Sequence, residues 1–540
     1  MPRRQGDVKN NPKRLASFPA FLYDGQMSKK LIKSTVLVSS MTLISRIMGF
    51  VRDIIFANVF GASLGFDAFV VAFKIPNFFR RVFGEGAFSQ AFVPVLAEFR
   101  EKNSHEEAQD FINRIAGTLG LALMGLVVLG EILAPVIIIV FAPGFLHHPE
   151  RFDLSEKLLH YTFPYLLFIS LTAFSGAILN TFSRFAIPAV TPVLLNVCLI
   201  IAALWLAPYF QEPIMALSVG VFLGGVVQLV VQLPFLKEID LFPRPKLGFN
   251  HPGVRKVLRL MLPALFGVSV AQIGIVVDNF FASFLRVGSI SWLYYSDRLT
   301  YLPLGVFGVA LATVVLPYLS RQSVRQSEKE YSETLDWGIR CALLIGMPAA
   351  VGLFILARPI LSTLIQHGRF TPFDVEMSAR SLMAFSVGLP AFILIKVLVS
   401  GFYSRQNIRT PVKIAALALV INVVLNAILI KPLAHAGLAL ATSVASTVNA
   451  LLLIILLVRR NIFRPNGGWK KFGARIVLAN GIMLGLMGWM RGDVAHWTNW
   501  GLWTRVSHLI ILISLGLLVY FGMLFFSGMR WRDIQPPIVD

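Results

Sequence analysis

Charge is what this chain has least of. Ionisable residues make up 14% of its 540 positions, against about 25% in soluble domains, so there is too little polar surface to solvate a globular body. Cysteine is nearly absent. Cys198 and Cys341 both fall inside apolar stretches, which excludes a disulfide framework and leaves them as small hydrophobes. Acidic residues are outnumbered 28 to 49 by Lys and Arg, for a net charge of +21. Those basic residues are scattered over short loops and gathered in no soluble domain, so nucleic acid is not the expected partner. The first 26 residues (MPRRQGDVKNNPKRLASFPAFLYDGQ) lack the apolar core and small-residue cleavage site of a secretory signal and are predicted to form a disordered basic cytoplasmic tail. No nucleophile with a base, no His/Cys metal cluster and no phosphate-binding glycine loop is apparent; His147 and His148 read as a solvated loop pair. A non-enzyme is expected.

What the chain has is length in apolar runs. Hydrophobic residues reach 56% and the mean hydropathy is +0.71. A helix rising 1.5 Å per residue needs about 20 residues to cross a hydrocarbon core of about 30 Å. Such runs recur over residues 31–57, 64–97, 111–141, 158–182, 187–207, 213–236 and 257–285, then 291–320, 336–365, 378–402, 410–430, 436–458, 473–490 and 502–526. Lipid offers backbone groups no hydrogen-bond partner, and the runs are continuous where barrel strands would alternate. The predicted fold class is an all-α polytopic membrane protein with about 14 transmembrane helices.

An even number of spans puts both termini on one side. The N-terminal tail, the 237–259 loop with Lys237, Arg244, Lys246, Arg255, Lys256 and Arg259, the Arg405/Arg409/Lys413 turn and the 459–475 loop share that side, which the excess of Lys and Arg marks as cytoplasmic. The opposite loops are short, and neither side has room for a soluble catalytic domain. A weak repeat is also visible. Phe182-Ser183-Arg184 resembles Tyr403-Ser404-Arg405 at a shift of 221 residues, and Val82-Phe83-Gly84 with Pro94 resembles Val306-Phe307-Gly308 with Pro317 at shifts of 224 and 223. A shift of six spans preserves orientation, so two parallel six-helix lobes are predicted, over 27–238 and 239–460, with the last two spans and a C-terminal tail in 461–540. Such lobes usually enclose a cavity.

An ionisable group at the bilayer centre costs about 2.5–3.5 kcal/mol on insertion scales, so a cluster of them calls for a cavity, partners or a function. The first span carries Arg46, Arg52 and Asp53; the second carries Asp67, Lys74, Arg80, Arg81 and Glu85. At about 100° per residue, Asp67, Lys74, Arg81 and Glu85 fall within about 40° of one another, a single polar stripe on an otherwise apolar helix. Pro76, Gly84 and Gly86 allow that helix to bend. The eighth span adds Asp297 and Arg298. A surplus of guanidinium groups, which bind phosphate through forked hydrogen bonds, implies a large anionic ligand. A second, oxygen-rich set lies further on: Asp278, then Asn422 and Asn426 four residues apart on one face, then Thr442. It suits a monovalent cation or, equally, interhelical hydrogen bonding.

Ser45-Arg-Ile-Met-Gly-Phe-Val-Arg-Asp53, Asp67-Ala-Phe, Phe73-Lys-Ile-Pro-Asn77, Arg80-Arg81, the Glu85 to Pro94 segment and Phe402-Tyr-Ser-Arg405 through Lys413 together resemble the MurJ (MviN) family of the MOP exporter superfamily, from Met27 to about Ile534. The resemblance implies two six-helix lobes plus two C-terminal helices in a bacterial inner membrane. It implies alternating-access flipping of lipid II, the undecaprenyl-diphosphate-linked disaccharide pentapeptide, from the cytoplasmic to the outer leaflet for peptidoglycan synthesis. Arg46, Arg52 and Arg298 match the family's cavity arginines, and Asp67, Arg80, Arg81 and Glu85 match further cavity or gate positions; Lys74 joins them from the stripe. Asp278, Asn422, Asn426 and Thr442 correspond to a sodium site known in some members, with an amide at Asn426 where a carboxylate would hold Na+ better. No cofactor is expected to be required. Membrane lipids and the cell-wall synthesis machinery are the further partners implied. Two rivals remain in view: a MATE-like exporter of drugs, another amphiphile or a lipid-linked oligosaccharide, which would want acidic and aromatic cavity residues, and a polyprenyl-linked glycosyltransferase, which would want a larger outer loop.

Overall fold

In the computed structural model of the protein, residues 25–530 and residue 535 are described, with backbone alone for 25–36 and for Glu85, Phe266, Gly267, Val270, Ala271, Val494, Ala495 and Thr498. The tail predicted over residues 1–26 lies outside the described residues except for Gly25 and Gln26, which open the first helix, Gly25–Phe60.

Each apolar run forms a helix, and the described residues contain no strand. Among the described residues ten helices are long and apolar enough to cross a membrane, and one of them, Arg409–Arg459, is two spans joined across a break at Ala434 (φ 49°, ψ −130°). The other three are the first, the second and the seventh (Pro252–Ala282), all of which carry intramembrane charge. Among the described residues that makes fourteen spans, the last two being Trp469–Met490 and Leu502–Phe526.

Among the described residues three spans carry a π-helical stretch: the second, the fifth (Ala202–Leu206) and the eighth. The second runs as Leu64–Phe79, a nine-residue π-helical stretch Arg80–Phe88, then Ser89–Lys102. The eighth runs as Ser289–Pro303, a π turn Leu304–Gly308, then Val309–Val324. A π stretch widens the helix by one residue per turn and re-aims the side chains on either side of it. At Gly86 the widened turn lies so close to the seventh span that a Cβ would sit 2.8 Å from Val268.

We call the end of the bundle bearing the Lys- and Arg-rich loops the basic end, and the other the far end. Apolar packing differs between them. In the far half one continuous core joins Phe56 and Phe66 of the first two spans to Tyr295 and Leu299 of the eighth and Leu361 of the ninth. In the basic half the core is split. One cluster gathers Phe92, Phe111, Phe174 and Leu236 with Val254 and Val257 of the seventh span, and another gathers Val315, Leu335, Val397 and Leu453. The two sets of helices therefore meet at the far end and part toward the basic end. The start of the seventh span is packed on the early spans, and its end runs beside the eleventh.

Candidate substrate cavity

The site begins with a consequence of helix geometry: Arg52 and Asp53 are neighbours in the first span, yet both side chains are buried, 6% and 3% exposed. A buried guanidinium needs its donors filled, and this one has them filled. Arg52 donates from Nη2 to Asp53 Oδ1 at 2.7 Å and from Nε to the same oxygen at 3.0 Å. Its Nη1 donates to Asn196 Oδ1 of the fifth span at 2.9 Å. From the eighth span, the Tyr294 hydroxyl donates to Asp53 Oδ1 at 2.7 Å, and Arg298 Nε stands 3.3 Å from Asp53 Oδ2. One carboxylate thus ties together two arginines from opposite sides of the cavity. Arg298 remains 44% exposed, stacked on Tyr294 with its guanidinium carbon 5.0 Å from the ring centre.

Arg46 lies nearly two turns closer to the basic end and is exposed. Its guanidinium crosses to the eighth span and fills the place where a side chain on Gly305 would stand. Arg46, Arg298 and Arg81 are exposed side chains on spans that line the gap between the two basic-half cores. We read the gap between the two basic-half cores, bridged at the far end by the continuous core, as a cleft with these guanidinium groups beside it.

The polar stripe of the second span runs as a seam along the antiparallel seventh span. Lys74 Nζ donates to Asn279 Oδ1 at 2.9 Å, and Arg81 Nη1 to Gln272 Oε1 at 3.3 Å. Seven residues forward on one helix match seven back on the other. The seam continues to the basic end, where Lys256 Nζ meets Glu98 Oε2 at 2.5 Å. There Lys256, with Lys102 beside it, holds the Glu98 carboxyl below its ordinary range. Arg80 turns back on its own helix, donating from Nε to Asn77 Oδ1 at 3.2 Å. The side chain of Glu85 lies outside the described residues.

Asp67 is sealed away from the cleft. It is fully buried and accepts three hydrogen bonds from the start of the eighth span: Gly288 N at 2.7 Å, Ser291 N at 2.9 Å and Ser291 Oγ at 2.5 Å. A carboxylate here satisfies the otherwise orphaned N–H groups of a helix N-terminus and complements its dipole. Arg151 Nη1 to the Leu285 carbonyl (3.1 Å) and Gly144 N to Ser283 Oγ (2.9 Å) complete a far-end latch.

The structure also assembles the oxygen-rich set. Asn426 Nδ2 donates to Asn422 Oδ1 at 3.1 Å and, at a long 3.5 Å, to Asp278 Oδ1; Asn422 Nδ2 donates to Thr442 Oγ1 at 3.1 Å. As a cation cage this is a poor fit. An amide N–H group stands between the carboxylate and the neighbouring oxygen, where a bound ion would require oxygen. Asn426 Oδ1, the oxygen that would complete such a cage, is buried without a hydrogen bond.

Sequence reasoning chose the arginines but not their partners. Asn196, Gln272, Asn279 and Tyr294 are neutral residues whose roles come only from what stands opposite them. Asp53 was visible as the neighbour of Arg52, but nothing in the sequence brings Arg298 to it.

Comparison with known proteins was decisive. The sequence model described as lipid II flippase MurJ matches residues 56–511. A protein of Vibrio cholerae serotype O1 named "Probable lipid II flippase MurJ" is 45% identical over 521 residues, covering 95% of this chain and 99% of its own length. The chain belongs to the lipid II flippase MurJ family. A Burkholderia cenocepacia member, lipid II flippase MurJ, is 41% identical over 93% of this chain and 98% of its own. A solved structure, "Lipid II flippase MurJ, inward closed conformation", superposes with a TM-score of 0.76 at 32% identity, covering 92% of this chain and 99% of that one. An inward-facing MATE transporter of the MOP superfamily shares the fold at a TM-score of 0.66 and 14% identity. The MurJ family is one of multi-pass membrane transporters, and the helical spans of this chain accord with it.

Proposed function

We propose that this protein is a lipid II flippase, carrying the polyprenyl-diphosphate-linked peptidoglycan precursor from the leaflet at its basic end to the leaflet at its far end. The observation that carries the reading is the apex of the cleft, where Arg52 and Arg298 share the single carboxylate of Asp53 while Arg46 stands exposed below them. A diphosphate entering from the basic end offers more charge than Asp53 and more acceptor oxygens. It would draw Arg298 and Arg46 into forked hydrogen bonds and leave Asp53 to the buried Arg52. The polyprenyl chain stays in lipid.

Loss of the Arg298–Asp53 tie on head-group binding removes one link across the apex. Binding then favours parting of the far end, a population shift between two packings of the same helices. The basic loops argue for a bacterial inner membrane with both termini in the cytoplasm. In an inside-negative field each net charge moved is worth about 2.3 kcal/mol per 100 mV, which supplies a direction for anion export without a cofactor. Every role assigned is one of binding and gating, so we regard the protein as a transporter without catalytic chemistry, working beside the cell-wall synthesis machinery that makes and consumes its cargo.

The test is complementation. A bacterium depleted of its own flippase is expected to grow when it expresses this chain, and to stop growing with Arg46→Ala, Arg52→Ala or Arg298→Ala at matched membrane levels. Undiminished rescue by all three would move the head-group site elsewhere.

A further inference from the structure

Beside the break at Ala434, at the far end, lies a cavity of about 720 Å³, inside the range of about 300–1,000 Å³ typical of small-molecule sites. Its walls are the turn from the seventh span to the eighth, residues 377–387 of the tenth, and the 432–436 turn where the eleventh gives way to the twelfth. Most of the lining is apolar, yet two of the described lining residues are arginines and none is acidic. Arg286 lies over Trp292 and Phe373, its guanidinium carbon 4.7 and 4.6 Å from the two ring centres. Ring faces hold a guanidinium in place without consuming its N–H groups, and among the described residues no acceptor meets them. Arg380 donates from Nε to Glu376 Oε1 at 3.2 Å, but that carboxylate is already held by Arg358, whose Nη2 is 2.8 Å from Oε1 and whose Nε is 2.6 Å from Oε2. One carboxylate thus serves two arginines, and Arg380, 54% exposed, keeps its terminal nitrogens unspent. In the same wall the buried Ser289 hydroxyl has no hydrogen-bond partner. The rim is of another character. Phe284, Phe354, Val387 and Leu433 are exposed there, and in a chain that spans lipid such residues are covered by acyl chains.

We propose that this cavity binds an anionic phospholipid of the far-side leaflet, its phosphodiester taken by Arg286 and Arg380 and its acyl chains lying along the apolar wall between the tenth span and the 432–436 turn. Guanidinium groups with unspent N–H donors suit phosphate oxygens. A zwitterionic head group would bring its own cation toward arginines that already outnumber the acids beside them, so the site discriminates by repulsion as well as attraction. A soluble anion would satisfy the arginines and leave the apolar rim uncovered. The position also gives the lipid something to act on. Leu285 lines the cavity, and its carbonyl accepts from Arg151 in the far-end latch; Gly288, two residues beyond Arg286, donates to Asp67. A lipid that fixes Arg286 stabilises that segment, which links closure of the far end to the composition of the leaflet around it. The inference stands on the cavity and its arginines and not on the identity of the cargo.

The test uses the full-length protein in phosphatidylcholine nanodiscs doped with a phosphatidylglycerol, or in a parallel sample a phosphatidylcholine, that carries a photoactivatable group on an acyl chain. Labelled peptides are mapped by mass spectrometry. Residues 377–387 and 432–440 are expected to label at least about ten-fold more with the phosphatidylglycerol, the factor that about 1.4 kcal/mol of preference sets. The preference should vanish in Arg286→Gln/Arg380→Gln, and also in Val387→Trp, which keeps both charges but fills the mouth of the cavity. It should persist in Lys470→Gln/Lys471→Gln, which removes as much charge at the basic end, and in the presence of millimolar inorganic phosphate. Matched gel-filtration profiles and melting temperatures keep folding out of the comparison. Equal labelling by the two lipids in the wild type, or a preference unchanged in the double arginine variant, would overturn the proposal. So would a preference that survives Val387→Trp, because the lipid would then sit outside the cavity, or displacement by inorganic phosphate, because the arginines would then serve a soluble anion. None of these results touches the flippase reading, which growth complementation tests separately.

Discussion

Asp53 Oδ2 lies 3.3 Å from Arg298 Nε while the other oxygen of the same carboxylate binds Arg52 and Tyr294. The two arginines are therefore unequal. Arg52 is enclosed and depends on Asp53 for neutrality; Arg298 is half open to the cleft and free to exchange partners.

That inequality separates stability from transport. Removing one member of a buried ion pair strands the other and costs about 3–5 kcal/mol. Asp53→Ala is expected to lower the melting temperature of the purified protein markedly. Arg298→Ala, whose partner keeps Arg52, is expected to melt near the wild type while failing in a growth-complementation assay. Equal melting of the two variants would refute the assignment of Asp53 as the structural partner of Arg52.

At the far end, Asp67→Asn keeps the shape of the latch but loses the charge that three donors from Gly288 and Ser291 converge on. Hydrogen bonds to charged groups contribute about 1.5–3 kcal/mol each, so a population shift toward a far-end-open state is expected. Spin labels on the exposed residues Leu146 and Val287 would report it as a longer interlabel distance. An unchanged distribution would remove Asp67 from the latch.

Gly305→Ala tests Arg46 without touching it. The new methyl would occupy the position of the Arg46 guanidinium, in a turn whose backbone tolerates alanine. Transport in proteoliposomes should fall toward the level of Arg46→Ala, with little loss of thermal stability. Full activity would mean that Arg46 works from another position.

The basic end carries a pH-sensitive contact. The Glu98 carboxyl is held below its ordinary range by the hydrogen bonds of Lys256 and Lys102, so its contribution is present above the ordinary carboxylate range and is lost as pH falls through the lowered value. Cross-linking between cysteines introduced near residues 98 and 256 should weaken on acidification in the wild type. It should be weak at every pH in Glu98→Gln, and screened by salt in the wild type alone.

Much of this was legible in one dimension. The fourteen runs were long enough to span lipid, and lipid leaves a polar backbone little choice but the helix. Arg46, Arg52 and Arg298 stood out because charge in apolar sequence is costly. The stripe of Asp67, Lys74 and Arg81 was also visible as a stripe, yet its periodicity says only that the residues share a face. Periodicity carries no information about what that face meets.

What the sequence determined by itself was therefore the solvent, the number of crossings and the identity of the charges, because each follows from transfer free energies that act residue by residue. Only the tertiary structure decided that Asp67 caps a helix 221 residues away, that Lys74 and Arg81 bind the seventh span, and that Asp53 holds two arginines at once. Those facts depend on which helices are neighbours. Within lipid, where apolar faces are nearly interchangeable, helix neighbours are chosen by close packing at small residues such as Gly86 and by polar pairs that exist only once the partners have met.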